Sequence, residues 1–230
     1  MISLAMIGSL FFEVEGVLAA TTSLRRTALL RALAEEGLVD VDALDPADDS
    51  GEGTRETVRR TLQNRAIDET TLTLVAFRAD RHFASLVAAG VSLAPGAREL
   101  IELSVASCRL AIVTGLDRAT VTAMLSLADL DGAFEVIIAA EDVAAVKPAP
   151  DGHRKALERM GRRRPVDIHG ALALEPGVVG ARGARAAGLR VAVVAPFRVE
   201  SIIDADAMLA SLAGETPATL DAMLSLGSAR

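Results

Sequence analysis

Neither tryptophan nor tyrosine occurs in this 230-residue chain, and aromatic residues make up only 3 % of it. Stacking platforms for single-stranded nucleic acid or for sugar rings therefore have almost nothing to be built from. Cysteine is scarcer still, since Cys108 stands alone. An internal disulfide is excluded, and a single thiol opening an apolar run reads as an inert core residue rather than a nucleophile. Long basic runs are missing as well. The longest is Arg162-Arg163-Arg164, and with a net charge of -7 the chain lacks the electrostatic footprint of a nucleic-acid binder. No apolar run reaches the ~18 residues of a membrane span, and the apolar start "MISLAMIGSLFF" has no basic n-region. No His or Cys cluster suggests zinc. The expectation is a cytoplasmic protein with neither nucleic-acid nor membrane partners; nothing in the sequence sets its oligomeric state.

What the chain does have is apolar residues, 51 % of the total, enough for a sizeable core. Short β-branched apolar stretches recur at residues 4–12, 109–114, 136–139, 166–169 and 190–194, and each reads as a buried strand. Helical periodicity fills residues 97–107, 118–127, 150–160 and 178–187. Alternation of this kind implies βαβ crossovers, hence an α/β fold with a doubly wound parallel sheet. The tail from residue 200 reads as two closing helices, split at 214–217.

The gap between the first and second strands is too long for one crossover, and its period is helical at 22–36, 54–62 and 70–89, with a polar loop at 42–53. This predicts an all-helical cap, residues 21–90, inserted into a core made of residues 1–20 and 91–230. In open parallel sheets, ligands gather beyond the carboxyl ends of the strands. After the first strand come Glu13 and Glu15, after the second Thr114 and Gly115, beyond the third Lys147, and beyond the fourth the segment through Glu175. Carboxylates, a hydroxyl and a cation are thereby directed to one place.

Four motifs in this order carry a resemblance. "LFFEVEGVLAATTS", "CRLAIVTG", "FEVIIAAEDVAAVKPAPDGHRKAL" and "LEPGVVGARGARAAGLRVAVV" together resemble the signature of the haloacid dehalogenase superfamily. The likeness is to its helical-cap branch of phosphoglycolate phosphatase and β-phosphoglucomutase-like proteins, and it implies a Rossmann-like core and phosphoryl transfer on a small phosphorylated metabolite. In the family a first aspartate attacks phosphorus, a second, two residues on, carries the proton, Thr or Ser and Lys hold phosphoryl oxygens, and Mg2+ bridges carboxylates to phosphate. A carboxylate can attack a phosphate only when both negative charges are neutralised.

The catalytic motifs are degenerate. Glu13 stands at the nucleophile position, Glu15 at the acid/base position, and Glu175-Pro176 where an acidic pair is expected. The resemblance assigns the metal to Glu13, Glu15 and Glu175, and the phosphate to Thr114, Gly115 and Lys147. Glutamate moves its carboxylate out by one methylene, and a misplacement near 1 Å can cost ~10²-fold in rate. Magnesium demands near-octahedral geometry, so its binding is expected to be weak or absent. The expectation is a phosphatase-like protein with lost or strongly reduced turnover, holding a small phosphorylated metabolite or another anion; the alternative is an active hydrolase with a rearranged site.

Lesser candidates come with plainer readings. Arg55, in a stretch resembling the substrate loop of the β-phosphoglucomutase-like branch, is a specificity candidate or a solvated helix residue. Thr54 reads as an N-cap without a full capping box. Asp142 reads as a capping or pairing residue. Of the histidines, His169 near the end of a strand is a candidate base or, as the plainer reading, a packed residue, and His82 and His153 are expected to be solvated.

Overall fold

The computed structural model describes residues 6–38, 53–62, 65, 67–195 and 204–227. Residues 4 and 5 of the first expected strand, the loop at 42–52 and the start of the tail at 200–203 lie outside the described residues. Strands β1 (Ser9–Phe12), β2 (Arg109–Val113), β3 (Val136–Ile138), β4 (Ala171–Glu175), β5 (Arg190–Val194) and β6 (Ala207–Leu209) form one parallel sheet in the order β3-β2-β1-β4-β5-β6. The doubly wound α/β expectation holds. β1 is central, and its neighbours β2 and β4 belong to opposite halves of the sheet, so the end of β1 lies where strand order reverses.

Both faces of the sheet are covered, which is why its strands read as unbroken apolar runs. In β1 the side chains of Leu10 and Phe12 join one apolar cluster and Phe11 joins the other. β4 divides the same way, with Leu172 and Leu174 on the first face and Ala171 and Ala173 on the second. This period of two is the geometry of a pleated strand.

Helices α1 (Thr22–Glu35), α2 (Thr54–Thr61) and α3 (Glu69–Ala88) have an apolar cluster of their own, built from Leu29, Leu33, Val58, Leu72, Val75 and neighbours. Phe83 and Val87, at the far end of α3, join the sheet's cluster instead and tie these helices to the core. Around the sheet lie α4 (Ala97–Ser104), α5 (Arg118–Leu127), α6 (Asp151–Gly161) and α7 (Val178–Ala186), with α8 (Pro217–Gly227) in the tail. Among the described residues no helix is long and apolar enough to cross a membrane.

Two elements differ from the sequence reading. The expected strand at 166–169 is instead an approach to a short 3-10 turn, Ile168–Gly170, and the strand itself is Ala-Leu-Ala-Leu-Glu, Ala171–Glu175. Alanine and leucine favour helices, but pairing on both sides, Leu10↔Leu172 and Leu172↔Arg190, overrides that preference. In the tail, Ala207–Leu209 is an edge strand against β5 and not a helix; among the described tail residues only Pro217–Gly227 is helical.

Candidate functional site

The carboxyl end of β1 delivers Glu13. Its backbone N–H still serves the sheet, donating to the Leu174 carbonyl at 3.0 Å, and its side chain is 6 % exposed. Glu13 Oε1 accepts from the Val14 amide at 2.7 Å, and Oε2 accepts from Lys147 Nζ at 2.7 Å. The Thr114 hydroxyl, buried at the end of β2, lies beside the same carboxylate and also accepts from the Leu116 amide at 3.3 Å. Gly115 is exposed, and a side chain there would meet nothing.

Lys147 enters from the loop ahead of α6. Its ammonium donates to the Val113 carbonyl at 3.0 Å, to Glu13, and to both oxygens of Glu175 at 2.8 and 2.7 Å. Glu175 closes β4 and is 1 % exposed. Its carboxylate fits because α7 carries glycine at position 180, where a Cβ would come within 1.8 Å of Glu175 Oε2. From α6, fully buried His153 places Nε2 at 2.9 Å from Glu175 Oε1.

One buried cation is thus shared by two buried carboxylates, and Glu175 has the larger share. Burial pushes the Glu13 carboxyl above its ordinary range; Lys147 pulls it back, and the Glu175 charge raises it further. Burial acts upward on Glu175 too, but Lys147 and the bond from His153 hold it below the ordinary range. Desolvation alone would drop the Lys147 ammonium, yet the two carboxylates raise it. Burial depresses His153, which favours a neutral imidazole.

Glu15, two residues beyond Glu13, belongs to a different network. Arg25 of α1 grips it in a fork, Nε to Oε1 at 2.6 Å and Nη2 to Oε2 at 3.0 Å. The same guanidinium donates from Nη1 to Thr54 Oγ1 and Asp80 Oδ1, each at 3.0 Å, and its centre stands 3.8 Å above the Phe83 ring. Bidentate pairing and stacking are the strengths of arginine over lysine. One side chain therefore joins the loop after β1 to α1, α2 and α3.

The structure brings Glu13, Thr114, Lys147 and Glu175 together, with Glu15 beside them but turned to Arg25. Arg55 is not part of the group: it pairs with Glu69 and Thr73 of α3, the latter at 2.7 Å, and is half exposed. Thr54 is not an N-cap, because Gly53 holds that position. Pro176 is buried and offers no ligand. Asp142 pairs with Arg118 and Arg159 and accepts from the Ala139 amide. Cys108 is a buried thiol donating to the Ile7 carbonyl, and burial pushes its pKa up.

The histidines correct the sequence reading. His169 is exposed at the entry to β4 rather than packed at its exit, because the strand begins two residues later. His82 is partly exposed and lies 2.7 Å from Glu35. His153, expected to be solvated, is fully buried. Its spacing to Ala156 and Met160, the other buried residues of α6, placed it on the inner face of that helix.

The oxygens that would hold a divalent ion are all engaged. Both of Glu15 accept from Arg25, both of Glu175 from Lys147, and those of Glu13 from Lys147 and an amide. Among the described residues, no group of three or more His, Cys, Asp or Glu could hold a metal ion. In this arrangement the residues do not fit magnesium, which would have to displace an ammonium from a desolvated carboxylate pair.

Comparison with known proteins agrees with the fold. Residues 10–194 match the family described as haloacid dehalogenase-like hydrolase. Protein CbbY of Rhodobacter capsulatus is 34 % identical over 195 residues, covering 80 % of this chain and 83 % of that one. Protein CbbY of Cereibacter sphaeroides is 34 % identical over 222 residues, covering 90 % and 94 %. Among solved structures, CbbY from Rhodobacter sphaeroides in complex with phosphate superposes with a TM-score of 0.78 at 32 % identity, covering 94 % of this chain and 100 % of that one. A mutant of the same protein in complex with xylulose-(1,5)bisphosphate superposes equally well. A β-phosphoglucomutase from Clostridium difficile shares the fold, with a TM-score of 0.77, over 98 % of this chain and 100 % of that one at 15 % identity.

Proposed function

The chain belongs to the haloacid dehalogenase-like hydrolase family, and from that premise we propose that its cleft receives a small phosphorylated metabolite without efficient phosphatase turnover. One observation carries the reading: each acid at the end of β1 is already neutralised by a cation of the chain itself, Glu13 by Lys147 and Glu15 by Arg25. A nucleophilic carboxylate must be free to approach phosphorus in line, and a proton carrier must be free to give and take a proton. Glu13 is held by an ammonium and its own following amide, and Glu15 by a fork. The substitution at Pro176 removes a further oxygen from the same place.

Thr114, Gly115 and Lys147 are the groups through which a phosphate would be held, and a CbbY relative binds phosphate and xylulose-(1,5)bisphosphate. In this reading residues 1–20 and 91–230 carry the site, and the helical cap at 21–90 governs access and specificity.

The test is a panel of phosphorylated metabolites assayed with Mg2+. The unmodified protein is expected to stay at background, and the variant combining Glu13→Asp, Glu15→Asp and Pro176→Asp to gain turnover. Hydrolysis by the unmodified protein that disappears in Glu13→Gln would establish the opposite, an active hydrolase with a rearranged site.

A further inference from the structure

His153 takes no part in the reading above, yet it is one of the most deeply enclosed polar side chains of the chain, 0 % exposed. Its Nε2 lies 2.9 Å from Glu175 Oε1, while Nδ1 is buried without a hydrogen-bond partner among the described residues. That asymmetry fixes the proton. Glu175 receives the Lys147 ammonium on both oxygens and is therefore ionised, so it can only accept, and Nε2 must donate. A second proton on Nδ1 would leave a buried donor without an acceptor and add a second cation next to Lys147. A bare Nδ1 lone pair is the cheaper orphan.

Glu175 is thereby held from opposite sides. Gly180 leaves room for Oε2, His153 anchors Oε1, and the carboxylate presents both oxygens to Lys147, which reaches on to Glu13. We infer that His153 is a positioning residue of this cleft: as a neutral Nε2–H donor it fixes Glu175 so that the Lys147 ammonium is held between Glu175 and Glu13 as the cleft's own cation. The inference deepens the proposed function and rests on its premise that Lys147, not a divalent ion, neutralises these acids.

The experiment uses the full chain and two magnetic-resonance readouts. Lys147 and Lys155 are the only lysines, so a Lys155→Arg background gives a single ammonium signal. In that background the imidazole 15N spectrum of His153 is expected to show the neutral Nε2–H tautomer. The Lys147 ammonium protons are expected to exchange slowly with water, about tenfold faster in His153→Phe, and near the starting rate in His153→Gln, whose amide can still donate; the factor corresponds to one charge-assisted hydrogen bond. An Nδ1–H tautomer or an imidazolium, or an ammonium exchange rate that is the same in the Phe variant, would overturn the inference. Should the Phe variant fail to fold, the tautomer of the unsubstituted histidine and the rate in the Gln variant still decide it. Titration with Mn2+ separates this from the proposed function. Tight Mn2+ binding with ester hydrolysis by the unmodified protein defeats the premise, whereas a metal-blind protein with the wrong tautomer defeats only the role of His153.

Discussion

Replacing Lys147 with methionine keeps most of the side chain's volume and removes the charge that Glu13 and Glu175 share. The ammonium sits 2.7 Å from Glu13 Oε2 and 2.7 to 2.8 Å from the Glu175 oxygens, and the two acidic side chains are 6 % and 1 % exposed. At an effective dielectric of about 20, each such contact is worth roughly 6 kcal/mol of gross attraction. Most of that offsets the desolvation of the ions. What survives on deleting one partner of a buried pair is a loss of about 3–5 kcal/mol, because the remaining charges are left uncompensated. Urea unfolding of Lys147→Met at neutral pH should show a loss of that size, a large part of the ~5–15 kcal/mol available to a typical domain. The loss should shrink on acidification. Glu13 is already raised by burial and by Glu175, so without Lys147 it takes up a proton first, and the variant regains stability as pH falls. A loss below about 1 kcal/mol that does not vary with pH would refute the idea that this ammonium compensates the two acids.

Gly180→Ala places a Cβ 1.8 Å from Glu175 Oε2; despite the ~1 kcal/mol helix preference of alanine, it should destabilise the fold by about 1–3 kcal/mol, and unchanged thermal unfolding would refute that. His153 is depressed below its ordinary 6.5 by burial, so the unfolded chain binds the proton more readily. Its contribution is full above pH 6.5 and is lost as pH falls through the folded value. Stability measured from pH 7.5 to 5.5 should therefore fall more steeply in the unmodified protein than in His153→Gln, and parallel curves would refute the assignment. Arg25→Met removes the fork on Glu15 and the bonds to Thr54 and Asp80. Amide exchange in the first turns of α1 and α2 should rise about tenfold, equivalent to one charge-assisted hydrogen bond, and unchanged protection there would show that the helices are held by apolar packing alone.

The order of elements was legible in the sequence because burial on both faces of a parallel sheet leaves apolar runs, and covering helices leave a 3.6-residue period. Glu13 and Thr114 could be named from their places at strand ends, and Lys147 and Glu175 from the motifs that carry the family resemblance; the strand order then brings all four to one edge of the sheet. β4 escaped because Ala-Leu-Ala-Leu lacks β-branching, and β6 because three residues on an edge carry almost no pattern. Side-chain pairing was beyond reach for a different reason. Two glutamates separated by one residue look alike in sequence, yet the chain turns between them, so one meets a lysine 134 positions away and the other an arginine 10 positions away. His153 looked like any helical histidine until α6 was laid against β2 and β3 and its inner face was enclosed. Sequence by itself determined which charges exist at the end of β1; only the tertiary structure decided which cation neutralises each, because pairing depends on distances that local propensity does not encode.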